Sequence, residues 1–239
     1  MQIVILAGGL GTRISKISNG LPKSLIKIFD KPFLSYQLDW LISNDCKNIL
    51  MCVGHGGELI KNFISNNYKH VNIQFSDENK VLLGTGGALR KAIPYLDKKF
   101  ILIYGDSFLR VDLNRFINFF KKHSSMSLMG VIRNKNKWDI SNCYVNKNFI
   151  RIYEKDQQKR TKIKKNFFFI DYGISGLNKS DINLFEQDKF IDLSTLYSKL
   201  SKQDKLLAFK IKKRFYEIGS EKGIEDFKYF LKRNKNDFY

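Results

Sequence analysis

The sequence has few cysteines and no long apolar run, and each absence excludes a class of protein. Its 239 residues include three cysteines, Cys46, Cys52 and Cys143. They form no CxxC pair and have few histidines nearby, so neither a disulfide framework nor a zinc site is expected. No segment approaches the roughly 20 apolar residues that span a bilayer, and the apolar run after Met1, about six residues long, is too short for a signal peptide. We therefore expect a cytoplasmic protein with no membrane partner.

Acidic residues are also scarce. The chain has 23 Asp and Glu against 42 Lys and Arg, which gives a net charge of +19. Such an excess can mark a protein that binds nucleic acid. Here the basic residues are scattered along the chain and are mostly lysines, accompanied by many Asn and Ile, a mixture that codon bias would also produce. We therefore expect no nucleic-acid partner, and interpret the densest basic stretch, KDQQKRTKIKK at 155–165, as a solvated loop.

The length and the spacing of short apolar runs predict one α/β domain over residues 1–239. Runs rich in β-branched residues predict strands at 2–7, 47–53, 71–75 and 99–104, and the intervals leave room for helices at 33–44, 57–66 and 86–96. This βαβ spacing predicts a Rossmann-like, mostly parallel mixed sheet with helices on both faces.

The second half, from about residue 126, has a different pattern. Its apolar runs SLMGVI, NCYV, FIRIYE and FFFIDYGISGL alternate with turns, which is typical of mixed or antiparallel strands. We expect a small lobe here that closes over the sheet edge. At the end, KRFYEIGS (213–220) predicts a short strand, with Ser220 as the N-cap of an amphipathic helix to about Arg233.

The first strand runs into ILAGGLGTRISKISNGLPKSL (5–25), which has the composition of a phosphate-binding loop. A dinucleotide fingerprint needs a third glycine where this chain has Ile14, and a Walker A loop needs a glycine where Pro22 precedes Lys23. NAD binding and P-loop ATPase chemistry are therefore disfavoured.

What remains of this stretch still suits a polyphosphate. Gly8, Gly9 and Gly11 permit backbone conformations in which successive N–H groups converge on an anion. Arg13 adds a bidentate fork for phosphate oxygens, and Lys23 adds a mobile point charge. We interpret the stretch as a triphosphate cradle; the alternative is an ordinary strand-to-helix turn with surface charges.

A carboxylate follows the predicted strand 99–104, in the sequence YGDS. Sites in parallel sheets lie at the carboxyl ends of strands, so Asp106 and the glycine loop should share one sheet edge. Asp106 is therefore a candidate ligand for a cation. The alternative is a turn-forming Asp beside Gly105.

Six motifs, GGLGTR, PK, LGTGGAL, YGDS, YEK and YEIGS, occur in an order that resembles the sugar-1-phosphate nucleotidyltransferase family, over essentially the whole chain. The resemblance implies transfer of a nucleoside monophosphate from an NTP to a sugar phosphate, with release of pyrophosphate. It places the nucleotide-binding half at about 1–125 and the acceptor-binding half at about 126–239. The nucleotide contacts that it implies are Leu6, Gly8, Gly9, Gly11, Thr12, Arg13, Gly84 and Thr85.

The resemblance also implies a catalytic set, Arg13, Lys23 and Asp106. Both reactants are anions and the leaving pyrophosphate gains charge, so cations and N–H donors are the main tools that this reaction needs. The implied cofactor is Mg²⁺, held by Asp106 and a late acidic residue. That residue is usually an aspartate in a D-x-G motif, and here it is Glu217 in EIGS. The alternative for Glu217 is a surface salt bridge with Lys213 or Arg214.

For the acceptor, Glu154 and Lys155 match the family's E-K pair, which contacts sugar hydroxyls and the sugar phosphate. Two neighbouring positions depart from the family pattern: Asp171 replaces an asparagine, and Asn142 stands where glycine is common. We expect all four to bind the acceptor. Lys155 could instead belong to the basic loop that it begins.

Three functions therefore remain in competition. The first is a sugar-1-phosphate nucleotidyltransferase, with GTP and a heptose- or mannose-type 1-phosphate as the substrates that the resemblance favours. The second is a cytidylyltransferase that acts on a non-sugar phosphate, and the third is a non-catalytic nucleotide- or nucleic-acid-binding module. The sequence leaves open whether the chain forms a homo-oligomer.

Overall fold

The computed structural model describes residues 1–9, 11, 14, 18–78, 83–123, 125–185 and 190–234. Within these, the strands are β1 (Gln2–Leu6), β2 (Lys27–Ile28), β3 (Lys31–Pro32), β4 (Asn48–Val53), β5 (Asn72–Asp77), β6 (Lys99–Tyr104), β7 (Ser107–Phe108), β8 (Ser127–Arg133), β9 (Cys143–Asn146), β10 (Phe149–Tyr153), β11 (Phe169–Asn178), β12 (Leu206–Ile211) and β13 (Tyr216–Glu217). The α-helices are α1 (Phe33–Ser43), α2 (Gly57–Asn67), α3 (Gly84–Lys91), α4 (Leu113–Lys122), α5 (Gln157–Lys162), α6 (Ser194–Lys202) and α7 (Glu221–Arg233).

Nine strands form one mixed sheet in the order β5-β4-β1-β6-β11-β8-β12-β10-β9. The first four are parallel neighbours, with β1 between β4 and β6. Every residue of β1 is buried, as is nearly all of β4, which explains why these runs are continuously apolar rather than alternating. The βαβ interpretation of the first half is confirmed.

The second half adds the antiparallel part of the sheet. Strand β11 pairs with β6 on one side and with β8 on the other, and its register against β8 shifts between Asp171 and Ser175. Such an irregularity bends a strand and redirects its side chains. The predicted mixed topology is therefore confirmed.

Two apolar clusters cover opposite faces of the sheet. Helices α1, α2 and α4 pack on one face through residues such as Leu38, Ile60 and Phe116. Helices α3 and α6 pack on the other through residues such as Leu89 and Leu196. The α/β fold with helices on both faces is thus confirmed.

The last helix packs on a small second sheet. Strands β7 and β13 pair antiparallel, and Phe227 and Phe230 of α7 lie against Phe108. Ser220 caps α7, since its hydroxyl accepts a hydrogen bond from the Gly223 backbone N–H at 3.0 Å. The predicted strand, cap and helix at this end are all confirmed.

The interpretation of 155–165 as a loop was wrong. Its middle forms α5, whose N-cap Asp156 accepts from the backbone N–H groups of Gln158 and Lys159. Arg160 is buried, and its guanidinium donates to the Ser141 carbonyl at 2.6 Å. This stretch thus contains one packed basic side chain, Arg160, among side chains that are mostly exposed.

Other boundaries move less. The helix predicted at 86–96 begins at Gly84 and ends at Lys91, and a 3-10 turn over Ile93–Tyr95 follows it. Within the part of the chain that the structure describes, no helix is both long and apolar enough to cross a bilayer.

Candidate active site

Loops that follow β1, β4 and β6 meet at one edge of the sheet. The Ala7 backbone N–H donates to the Cys52 carbonyl at 2.8 Å, and the Gly105 N–H donates to the Leu6 carbonyl at 2.9 Å. A Cβ on Gly105 would lie 2.8 Å from the Leu6 oxygen, so only glycine allows these two loops to approach so closely. This contact places Asp106 beside the glycine loop, as the sheet-edge argument predicts.

A lysine from the same opening stretch reaches Asp106. The Lys23 ammonium lies 3.4 Å from Asp106 Oδ2. Lys23 begins a 3-10 turn directly after Pro22, and its Cγ lies 3.0 Å from the ideal Cβ position of Gly11. Gly11 has φ of +65°, a conformation that favours glycine. The structure therefore brings together three residues that the sequence analysis assigned to the phosphate site.

Glu217 lies next to Asp106 through the β7–β13 ladder. Its partner in the register is Ser107, and the Ile218 N–H donates to the Asp106 carbonyl at 3.0 Å. The Glu217 carboxylate accepts from the Gly219 N–H and from the Ser220 hydroxyl, both at 2.5 Å. These hydrogen bonds hold it at the start of α7.

The alternative for Glu217, a surface salt bridge with Lys213 or Arg214, was wrong for the residues that the structure describes. Arg214 instead pairs with Asp226 at 2.5 Å. The backbones of Asp106 and Glu217 are neighbours through the β7–β13 pairing, although the two residues come from distant parts of the sequence.

Residues 191–193 form hydrogen bonds with the loop at the start of α3. The Ile191 carbonyl accepts from the Gly86 N–H, and the Leu193 N–H donates to the Thr85 hydroxyl, both at 2.8 Å. Gly84 has φ of +74°, and a Cβ there would lie 2.6 Å from the Ile191 oxygen. Gly84 and Thr85, which the resemblance implies as nucleotide contacts, are therefore also structural partners of residues 191–193.

The four predicted acceptor residues form one cluster. Asn142 joins them, because its carbonyl accepts from the Glu154 N–H and its side-chain oxygen accepts from the Asp171 N–H, both at 3.0 Å. The Tyr153 hydroxyl lies 3.4 Å from Asp171 Oδ2. Lys155 extends beside them, with its ammonium 3.3 Å from Asp192.

Gly173 lies between this acceptor cluster and the residues on either side of Asp106. Gly173, in the irregular part of β11, has φ of +85° and lies against Tyr104 and Ser107, which flank Asp106 in the sequence. Its N–H donates to Asp171 Oδ1 at 2.9 Å. Burial raises the pKa of Asp171 to about 6, although this hydrogen bond and the charge of Lys155 oppose the effect.

The structure thus places most of the predicted site residues around one sheet edge. Thr12 and Arg13 lie outside the described residues. Sequence reasoning missed Asp192 and Tyr153. Tyr153 could have been found, since it stands directly before Glu154, whereas Asp192 carried no signal stronger than that of a helix-capping residue before Ser194.

The chain is similar in sequence and in fold to known proteins. The model of the nucleotidyl transferase family matches residues 2–231. A D-glycero-alpha-D-manno-heptose 1-phosphate guanylyltransferase from Campylobacter jejuni is 35% identical over 115 residues, which are 48% of this chain and 52% of the relative. A glucose-1-phosphate cytidylyltransferase from Salmonella typhi is 25% identical over 234 residues, 87% of each chain. The crystal structure of HddC from Yersinia pseudotuberculosis superposes with a TM-score of 0.76 at 24% identity, covering 94% of this chain and 96% of that one. The match thus spans about half the length of the Campylobacter relative.

Proposed function

Because the chain belongs to the nucleotidyl transferase family, we propose that it transfers a nucleoside monophosphate from an NTP to a sugar 1-phosphate and releases pyrophosphate. The substrates that we propose are GTP and a heptose- or mannose-type 1-phosphate. The support for the guanine nucleotide and the heptose-type sugar is the name of the Campylobacter relative.

The observation that carries the proposal is the approach of Lys23 to Asp106 beside Gly11. A phosphate oxygen of the acceptor must attack the α-phosphorus of the nucleotide, and both groups are anions. A lysine that a carboxylate holds at this edge offsets their repulsion without forming a covalent intermediate. Its ammonium is mobile enough to follow the phosphates as bonds form and break.

The carboxylates of Asp106 and Glu217 fit Mg²⁺. This ion is usually held by one or two carboxylates together with substrate phosphates and water, and the pairing of β7 with β13, which makes the two backbones neighbours, supports Asp106 and Glu217 as its ligands. When bound, Mg²⁺ would neutralise charge on the phosphates.

We propose that the acceptor cluster binds the sugar phosphate. Lys155 is exposed and positively charged, as a phosphate contact requires, and Glu154 and Asp171 supply acceptors for sugar hydroxyls. When it is ionised, Asp171 can accept hydrogen bonds but cannot donate them, whereas the family's asparagine both accepts and donates. This difference should change which hydroxyls the enzyme selects.

A panel of the four common NTPs against several sugar 1-phosphates, with pyrophosphate as readout, tests the proposal. GTP with a heptose- or mannose-type 1-phosphate should give the highest rate. Non-sugar phosphates are added to the panel because Asp171 departs from the family pattern, and CTP is of particular interest because the Salmonella relative is a cytidylyltransferase. A preference for CTP and a non-sugar phosphate would replace our proposal with the second candidate. Absence of pyrophosphate with every pair would favour a non-catalytic nucleotide-binding module.

A further inference from the structure

A buried glutamine on α1 contacts the segment that carries Asp106. Gln37 is 1% exposed, and most of its buried neighbours on this helix are apolar. Its Nε2 donates to the Tyr104 carbonyl at 2.8 Å and to the Ser107 carbonyl at 2.7 Å. One side-chain nitrogen therefore bridges the two carbonyls on either side of Gly105 and Asp106.

Two further hydrogen bonds hold this segment from other elements. The Gly105 N–H donates to the Leu6 carbonyl, and the Asp106 carbonyl accepts from the Ile218 N–H. These are backbone hydrogen bonds, which need no particular polar side chain, whereas the two bonds from α1 depend on Gln37 itself. The placement of the Asp106 segment against α1 therefore depends on the identity of one residue.

The side-chain amide of Gln37 is only half satisfied. Its nitrogen donates to two carbonyls, but its buried Oε1 has no hydrogen-bond partner among the residues that the structure describes. A buried acceptor without a donor is costly, and such an exception in a native fold needs an explanation. Gln2, which is also buried, shows the ordinary case, because its Nε2 donates to the Tyr95 carbonyl and its Oε1 accepts from the Asp97 N–H, both at 2.9 Å. Gln37 thus supplies both of its donors to the Asp106 segment while its own acceptor stays unpaired.

We propose that Gln37 is a positioning residue that holds Asp106 in place for a divalent cation. The inference rests on the proposed function, since it takes Asp106 as a ligand of that cation. Replacing a residue that orients a metal ligand commonly lowers metal affinity or activity by about 10- to 100-fold. Ser107, whose carbonyl Gln37 also holds, is the register partner of Glu217, so the same amide supports the strand that pairs with the second candidate ligand.

The test measures how strongly Mg²⁺ stabilises bound GTP when no acceptor is present. Calorimetry gives the dissociation constant for GTP in EDTA and in Mg²⁺, and the ratio of the two reports on the metal site without catalysis. Gln37→Met removes both N–H donors and keeps a side chain of similar length, so it should lower this ratio by about 10-fold or more and lower kcat as well. Gln37→Asn, which keeps the amide on a shorter stem, should lower the ratio less.

Gln2→Met is the matched control, because it removes a buried glutamine at the end of β1 opposite the glycine loop. It should lower the melting temperature but leave both the ratio and kcat unchanged. A residue that only stabilises the fold would behave in the same way at position 37.

Unchanged ratios in Gln37→Asn and in every folded Gln37→Met preparation would therefore overturn the inference. A wild-type protein that releases pyrophosphate, but whose GTP affinity does not respond to Mg²⁺, would also overturn it, and this arm needs no variant to fold. If Mg²⁺ tightens GTP binding in the wild type and much less in Gln37→Met, while no acceptor yields pyrophosphate, the proposed reaction fails and the inference stands.

Discussion

The Lys23 ammonium lies 3.4 Å from the Asp106 carboxylate, although 83 positions separate them in the sequence. The contact joins the loop after β1 to the end of β6. At this distance the lysine balances part of the charge of the acid, and it remains partly exposed to a ligand. The pair is therefore a charge contact that phosphate groups can reorganise when they bind.

We expect Lys23→Ala to lower kcat/KM by at least about 100-fold, because it removes a preorganised charge from the phosphate site. Arg13→Ala should have an effect of the same order. The free energy of unfolding should change by less than about 1 kcal/mol, since the Lys23–Asp106 pair is partly exposed. Initial rates and thermal denaturation measure the two effects.

Lys31→Ala is the matched control for the lysine. Lys31, in β3, also pairs with an aspartate, Asp39 of α1, at 2.7 Å. Its loss should leave kcat/KM within about twofold, the range expected for an exposed pair. Near-normal rates for Lys23→Ala and Arg13→Ala at saturating acceptor would show that the triphosphate-cradle interpretation is wrong.

Glu217→Gln should raise the Mg²⁺ concentration needed for half-maximal activity and lower kcat. Glutamine keeps an oxygen that accepts from Gly219 or Ser220, so α7 should remain folded. Glu217→Asp should keep part of the activity, and Asp106→Asn should be at least as damaging as Glu217→Gln. A magnesium titration of initial rates measures each effect.

Glu221→Gln is the control for this titration, because Glu221 is an exposed acid in the first turn of the same helix. It should leave the Mg²⁺ dependence unchanged. If Glu217→Gln also behaves like the wild type, Glu217 is only a capping residue of α7, and Asp106 remains as the single protein ligand.

The parallel half of the fold was predictable because its strands are continuous apolar runs. The meeting of Gly11, Lys23 and Asp106 at one sheet edge was predictable because these residues follow two of those strands. The burial of Glu78 was not predictable, because a single acid after β5 resembles any surface acid in the sequence. Helix α5 was missed because six basic residues between 155 and 165 suggested a solvated loop, so that its N-cap Asp156 and the packing of Arg160 were not recognised. The proximity of Asp171 to Asn142 follows from the pairing of β11 with β9, in which Phe169 faces Cys143, and the sequence does not predict such a long-range pairing.

The raised pKa of Asp171 predicts a pH dependence of stability. In the folded protein this pKa is about 6, above the ordinary value of 3.8, so the folded state binds the proton more tightly than the unfolded state. The contribution of Asp171 to stability is therefore fully present below about pH 4 and is lost as the pH rises through about 6. Asp171→Asn should remove this contribution, as thermal denaturation of both proteins between pH 4 and 8 would show.

The same titration should affect the acceptor. Below about pH 6 the wild-type carboxyl becomes protonated and accepts poorly from sugar hydroxyls, so the acceptor KM should rise relative to that of Asp171→Asn. The substrate phosphate titrates in the same way with both enzymes, so its effect on KM is removed when the two profiles are compared. Parallel KM profiles for both would remove Asp171 from the acceptor site.

Asp192→Asn should raise the acceptor KM with little change in kcat, because Asp192 positions Lys155 rather than touching the reacting atoms. Lys155 is exposed and Asp192 is partly exposed, so the increase should be at most about fivefold, equivalent to less than about 1 kcal/mol. Asp204→Asn, which removes the partner of Arg151 at another surface pair, is the matched control. An equal change in the KM for the NTP would contradict a role confined to Lys155.

Product formation from GTP and a heptose- or mannose-type 1-phosphate, followed by mass spectrometry together with a pyrophosphate assay, tests the proposed reaction most directly. We predict that a GDP-sugar and pyrophosphate appear in equal amounts, and that omitting the sugar phosphate abolishes both. The account would be contradicted if pyrophosphate formed at the same rate without an acceptor, or if no combination of NTP and sugar 1-phosphate yielded a nucleotide sugar.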